Sequence, residues 1–437
     1  MNDMTRKHPF PPKLPPGMAA DVPARLRPLR AGPFGVLDIG TSKVVCLIGR
    51  VDGDGQVRVL GLGHTQSRGV RGGGIVDLDA AEACIRAAVG EAEKMADLRL
   101  RSVTVNLTCG HPESRLFDLQ WPVGNRPVTE ADVRRVVLEG LGRAFCEGRD
   151  TIHALPLSFA VDDTQGVADP RGLHCDILSA RLHVVDAGTS ALRNLQLTLE
   201  RCELELGELV SAPMASGLST LVEDERQLGA TCIEMGGGAT SLAVFSEGQL
   251  LHTAQIAVGG NHVTNDVARL LSTPVAEAER LKTVYGNAEP SPDDDREILT
   301  TPLVGEEDHD MQRIPRSRLV AIIKPRLEET FELVRDRLDG AGLVQESGTR
   351  VVLTGGASQL AGAREMASRI LGRQVRLGRP AALRGLPDRA SGPVLATATG
   401  LLIWATGSGR HLADMDLTDD RPVSVLRRFV NFLRDRV

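Results

Sequence analysis

The sequence predicts an α/β chain of two related domains around a ligand cleft, with a small α+β unit inserted in the first. Three observations predict it. Gly35–Leu47 reads GVLDIGTSKVVCL and Cys232–Phe245 reads CIEMGGGATSLAVF. Each is an apolar strand ending in a carboxylate, then a glycine-rich hairpin with hydroxyl side chains, then a second apolar strand. Val351–Ser358, reading VVLTGGAS, is a third strand that runs into glycines. Two such hairpins facing each other can hold a polyphosphate and its metal, and the third segment can wall in a nucleoside. Glycine lets backbone N–H groups approach phosphate oxygens and permits φ > 0. Successive turn N–H groups form an anion-binding concavity. A carboxylate at the strand end can orient Mg²⁺, usually through its waters.

Along the chain, residues 1–33 hold eight of the 24 prolines and few apolar runs. Such a segment is expected to be disordered and is not a signal peptide. Its basic residues read as a solvated tail, with anionic lipid as the alternative contact. The first domain starts near Gly35, with strands expected at 44–50 and 57–64 and a helix at 79–96 whose apolar spacing is helical. It spans 34–102 and 187–228 and is completed by 393–407. Residues 103–186 change character: a strand at 103–107, an irregular stretch, a helix from Glu130 to Ala144 with Thr129 as N-cap, and strands near 151–162 and 176–186. A helix at 187–202 and a strand at 205–211 return to the first domain.

The second domain spans 229–260 and 346–392. A helical lobe, 261–345, starts after Gly259-Gly260 and is interrupted by 286–317, rich in Asp, Glu and Pro and expected as an exposed, mobile loop. A long amphipathic helix is expected at about 318–340 and a strand near 373–377. Small residues from Pro393 to Trp404 read as a helix crossing back to the first domain. An acidic linker, 408–424, precedes the last thirteen residues, VLRRFVNFLRDRV.

At 100° per residue, Leu426, Phe429, Val430, Phe432 and Leu433 fall with Val425 and Val437 in an arc of about 160°. Arg427, Arg428 and Arg434 lie opposite, and Arg436 must snorkel from the apolar side. Thirteen helical residues reach about 20 Å, too short to span a hydrocarbon core. The pattern suits a helix lying in the interface of an anionic membrane; the alternative is a helix docked on its own domain or a partner.

Composition narrows the classes. A net charge of −6 and 3% aromatics do not suggest nucleic-acid binding, since few platforms remain for stacking bases. Seven scattered cysteines without a C-x-x-C pattern read as reduced thiols rather than a disulfide frame or zinc site.

The hairpin constellation resembles the actin-like ATPase superfamily, a duplicated, ribonuclease-H-like two-domain fold with ATP in the cleft. Within it the chain is most similar to the FtsA family of bacterial division proteins. The stretches that carry this are GVRGGGIVDL at 69–78, VTEADV at 128–133, IHALP at 152–156, GGNHVTND at 259–266 and the terminal helix. The resemblance implies Asp38 and Glu234 as Mg²⁺-orienting carboxylates. It implies Gly40, Thr41, Ser42 and Lys43 as the first phosphate loop and Gly236, Gly237, Gly238 and Thr240 as the second. Gly355, Gly356 and Ala357 would approach the adenosine, and Glu279 and Lys282 the ribose and base. Residues 103–186 would be the FtsA-type subdomain that contacts other proteins. The family implies binding of the FtsZ C-terminal tail by the helical lobe, where Arg316, Arg318 and Lys324 are candidates. It also implies self-association into filaments, anionic lipid binding, later division proteins as partners, and a peripheral place on the cytoplasmic face of the inner membrane.

Two departures stand out. Glu234 replaces the usual Asp, and Ala212 stands where relatives often carry a water-positioning Glu. Losing general-base help costs about 10²–10⁴ in rate, so weak or absent ATPase activity is expected. A sugar kinase of the superfamily would not explain the terminal helix. A chaperone-type ATPase would need a substrate domain that the remaining residues are too few to form.

Overall fold

The computed structural model describes residues 32–53, 55–305, 311–343, 346–386 and 392–406. The Pro-rich tail up to residue 31, the acidic linker at 408–424 and the amphipathic helix at 425–437 lie outside the described residues.

β1 (Phe34–Ile39), β2 (Lys43–Val51) and β3 (Val57–Gln66) form an antiparallel meander. A small hairpin, β4 (Val70–Arg71) and β5 (Gly74–Ile75), leads to α1 (Leu78–Ala96). The Asp77 side chain caps α1 by accepting from Ala80 N, and Ile85, Ala88 and Ala92 are buried beneath it. β6 (Ser102–Leu107) then pairs parallel to β1.

The chain leaves this sheet for β7 (Glu113–Pro127), α2 (Glu130–Ala144), β8 (Arg149–Val161), β9 (Thr164–Val167) and β10 (His174–Gly188). These make a separate antiparallel sheet, β7-β10-β8-β9, backed by α2. Thr129 is the N-cap, and Asp132 closes a capping box while also pairing with Arg126 at 2.6 Å. Val133, Val136 and Val137 pack with Leu119, Phe159, Leu178 and Leu182 into a core of the unit's own. The stretch expected to be irregular is β7, the longest strand with β10. Its Pro and Gly residues hide the alternation, and its pairing comes from residues 174–186, far along the chain.

α3 (Thr189–Arg201) and β11 (Glu205–Ser211) complete the first sheet, ordered β11-β6-β1-β2-β3. α4 (Ala212–Thr220) and α5 (Glu223–Leu228) lead to β12 (Ala230–Met235), β13 (Thr240–Ser246) and β14 (Gln249–Ile256). After α6 (Gly260–Leu270) and α7 (Val275–Tyr285) comes a hairpin, β15 (Ile298–Pro302) and β16 (Met311–Pro315), and then α8 (Arg316–Gly340). β17 (Arg350–Thr354), α9 (Ala363–Leu371) and β18 (Gln374–Leu377) complete a sheet ordered β14-β13-β12-β17-β18. The two five-stranded sheets share one plan: an antiparallel meander of three, extended from its first strand by two parallel strands.

Residues 286–317 are not simply an exposed loop. Leu299 and Ile314 are buried, and Asp294 is 2% exposed. Arg316 holds Asp294 at 3.3 Å and Glu297 at 3.2 Å, so residues 294–297 are tied to the head of α8, while the acidic run 306–310 lies outside the described residues.

α10 (Ala396–Ala405) crosses back and packs on α4 between the sheets. Gly400 makes this possible: a Cβ there would lie 1.8 Å from the Ala215 carbonyl oxygen. The cysteines are free thiols, and Cys146, just past α2, is the exposed one. No helix of the described residues is long and apolar enough to cross a membrane.

Candidate functional site

The two hairpins are built alike. Gly40 N donates to Lys43 O at 2.9 Å in the first, and Gly236 N donates to Ala239 O at 2.9 Å in the second. They meet tip to tip. A Cβ on Gly237 would lie 1.9 Å from Ser42 Oγ, and one on Gly238 would lie 2.3 Å from Thr41 Oγ1, so any side chain there would have to push the facing hydroxyls aside. Ser42 Oγ also reaches Asn261 Oδ1 at 3.2 Å across the cleft.

Around them lies a cavity of about 690 Å³, within the usual range for a small-molecule site. Asp38, Glu234, all four residues of the first loop, Gly236–Gly238 of the second and Gly355–Ala357 line it. So do Glu279, Lys282 and Arg316. Thr240 is among the candidates that do not. It is buried, and its hydroxyl donates to Val258 O at 2.8 Å; the next residue, Ser241, faces the cavity instead.

Charge concentrates on the cavity floor. Asp38 is 4% exposed, accepts from Asn106 Nδ2 at 2.7 Å and lies 3.8 Å from Lys43 Nζ. Burial pushes its carboxyl up, and Lys43 only partly offsets this. Burial lowers Lys43 against the pull of Asp38 and Glu234. Glu234 is raised by burial and then by the Asp38 charge, although Thr397 and Ser216 bond to it. Two carboxylates that resist ionisation together suit a divalent cation, which would relieve both. Mg²⁺ is held by one or two carboxylates plus water and phosphate oxygens, and this donor set fits that habit. Among the described residues no group of three or more His, Cys, Asp or Glu side chains forms an all-protein metal cage.

At the other wall, Lys282 Nζ donates to Glu279 at 2.6 Å, Thr264 Oγ1 at 2.8 Å and Gly260 O at 3.3 Å. Burial disfavours the Glu279 carboxylate, but the bonds from Lys282 and Thr264 outweigh it and hold its pKa below the usual value. Arg316 donates to Tyr285 O at 2.9 Å and so braces the turn carrying Gly286 into the same wall. Its charge is committed inward. Arg318 reaches Leu270 O at 3.4 Å, and Lys324 lies 4.0 Å from Glu328 on the exposed side of α8. Ala212 opens α4 and is buried away from the lining.

Sequence reasoning missed several lining residues, including Asn106, Thr108, Ser241 and Gln255. The usable signal was register. Counting back from the second hairpin pairs Glu234 with Ser241 across β12 and β13, and Ser241 with Gln255 across β13 and β14.

Two family models match the chain: "Cell division protein FtsA" over residues 231–400 and "SHS2 domain inserted in FTSA" over residues 109–186. The cell division protein FtsA of Rhizobium meliloti (strain 1021) is 43% identical over 394 residues, covering 87% of this chain and 89% of the relative. That of Escherichia coli (strain K12) is 34% identical over 383 residues, covering 86% and 90%. Among solved structures, the PilM-PilN type IV pilus biogenesis complex superposes with a TM-score of 0.61 at 19% identity, covering 85% of this chain and 98% of that one. MreB5 of Spiroplasma citri bound to ADP superposes with a TM-score of 0.51 at 15% identity, covering 86% and 97%. At such identities these two show the actin-like fold alone.

Proposed function

Because the chain belongs to the FtsA family of cell division proteins, we propose that it binds Mg-ATP in the cleft, self-associates into filaments and tethers the FtsZ ring to the membrane. The observation that carries the nucleotide reading is the pair of like-built hairpins meeting over a cavity with two carboxylates and Lys43 on its floor. Asp38 and Glu234 would orient the metal, the two loops would cradle the phosphates, and Gly355–Ala357 with Glu279 and Lys282 would take the nucleoside. Bound Mg-ATP supplies the charge that joins the two domains and a phosphoanhydride bond. With Ala212 at the head of α4, turnover should fall well below the usual enzyme median of about 10 s⁻¹.

The tethering reading rests on the sequence of residues 425–437, whose apolar arc faces away from Arg427, Arg428 and Arg434. Several anchors on one filament would add by avidity where one short helix is marginal. The α6–α8 lobe would take the FtsZ C-terminal tail. With Arg316 committed inward, Arg318 and Lys324 are the basic contacts left to it among the three candidates. The inserted unit would serve later division proteins. On this reading the protein would work on the cytoplasmic face of the inner membrane at the division site.

Thermal unfolding with and without Mg-ATP, followed by pelleting with anionic liposomes, tests both readings. Mg-ATP should raise the Tm. The full chain should pellet, more weakly at high salt, and a chain ending at residue 424 should stay in the supernatant yet keep its ATP response. No ATP-dependent shift at millimolar nucleotide removes the first reading. Undiminished pelleting of the shortened chain removes the second.

A further inference from the structure

Glu234, Ser241 and Gln255 form one row across β12, β13 and β14, each directly opposite the next. Directly opposed residues project from the same face of a sheet, and all three line the cavity. Gln255 Nε2 donates to Thr108 O at 3.0 Å, a bond from the second domain to the first. A carbonyl partner accepts only, so it fixes which end of the amide faces it and leaves Gln255 Oε1 as a free acceptor. The Ser241 hydroxyl, beside it in the row, has no protein partner among the described residues and is 6% exposed. Thr108 is two residues beyond Asn106, which bonds Asp38, and its segment reaches Thr41 through Gly73. The row therefore ends on the carboxylate side of the cavity, where metal and terminal phosphate belong.

Resting on the nucleotide reading above, we propose that Ser241 and Gln255 hold the attacking water for ATP hydrolysis, the task that Ala212 cannot perform. Gln255 Oε1 accepts one hydrogen of the water, and the Ser241 hydroxyl donates to or accepts from it. Neither is a strong base, which makes hydrolysis slow but real. The water oxygen bonds to the terminal phosphorus. The bond from that phosphorus to the bridging oxygen breaks, its electron pair leaving with the diphosphate, and the displaced proton ends on the released phosphate. A loose phosphoryl transition state needs little more than such positioning. The Thr108 bond forms only when the domains are close, so the water site is assembled by cleft closure.

The test uses the full chain and Ser241→Ala and Gln255→Ala. Single-turnover phosphate release should fall about 10–100-fold in each, with ATP affinity nearly unchanged. Affinity for ADP with aluminium fluoride, which mimics the planar phosphoryl group with its apical water, should fall in parallel while affinity for ADP alone is kept. Ser241→Ala leaves the Thr108 bond intact and stands as the test if Gln255→Ala misfolds. Wild-type release rates and aluminium fluoride affinity in Ser241→Ala overturn the proposal. So does a wild type that binds ATP but releases no phosphate, an outcome that leaves the nucleotide reading standing. Absence of ATP binding ends both.

Discussion

At the scale of the residue, the cavity floor trades stability for binding. Asp38 is buried against Glu234 and has its carboxyl raised above 3.8. A raised folded pKa means that the unfolded chain loses its proton first, so stability falls as pH rises from the ordinary value to the raised one. Asp38→Asn should remove that penalty while keeping an acceptor for Asn106. Its Tm without nucleotide should rise, by about 2–4 °C for each kcal/mol recovered, and the Mg-ATP shift should vanish; differential scanning calorimetry reads both. An unchanged nucleotide response would show that Asp38 does not serve the metal. The carboxylates and glycines of the two hairpins and the hydroxyls of the first were legible because their residue types carry the chemistry, whereas Thr240 of the second turns away from the cavity. Ser241 and Gln255 were not, because ordinary polar residues gain meaning only from the strand opposite.

At the scale of the element, local signals were read well and long-range ones poorly. The capping box at Thr129 and the helical spacing of 79–96 are written within a few residues, and both helices form as expected. β7 depends on β10, and the acidic segment before β15 depends on Arg316, which reaches Glu297 from 19 positions further along. That arginine joins the segment, α8 and the Tyr285 turn of the cavity wall. Arg316→Ala leaves the buried Asp294 carboxylate without its cation and should cost about 2–3 kcal/mol. Urea unfolding measures the loss. ATP affinity should weaken with it, because the wall at Gly286 loses its brace. Normal stability in this variant would mean that the segment is held by its other contacts.

At the scale of the whole molecule, the inserted unit is joined to both domains. Ser114 at the start of β7 accepts from Thr253 N of β14 at 3.1 Å and meets His183 Nε2 at 2.6 Å. His153 on β8 accepts from Ser211 N at 3.0 Å and stands edge-on to Trp404. This junction was invisible in the sequence, since its hydrogen-bonded partners lie 58 to 139 positions apart and His153 and Trp404 further still. Burial, with His153 and His252 nearby, lowers His183 to about 3. A depressed folded pKa keeps its stability above the unfolded value near 6.5 and loses it as pH falls toward 3, because the unfolded state takes the proton. The loss is about 1.4 kcal/mol per pH unit for one such proton. Stability measured from pH 6.5 down to 4.5 should therefore decline less steeply in His183→Gln than in the wild type. Equal slopes would show that this histidine is not held neutral in the folded protein.

The cysteines have a practical consequence. Burial pushes Cys46 and Cys232 up to about 12, which keeps them protonated and unreactive at neutral pH, and Cys84, Cys109, Cys175 and Cys202 are buried as well. Cys146 alone is exposed, on the turn that ends α2. The natural chain thus offers a single handle for maleimide chemistry, already mounted on the inserted unit and not part of the cavity lining. A dye placed there without engineering would report rotation of that unit against the rest of the chain as nucleotide is added, by anisotropy or by energy transfer from Trp404 of α10, with Trp121 of the unit itself giving a constant contribution.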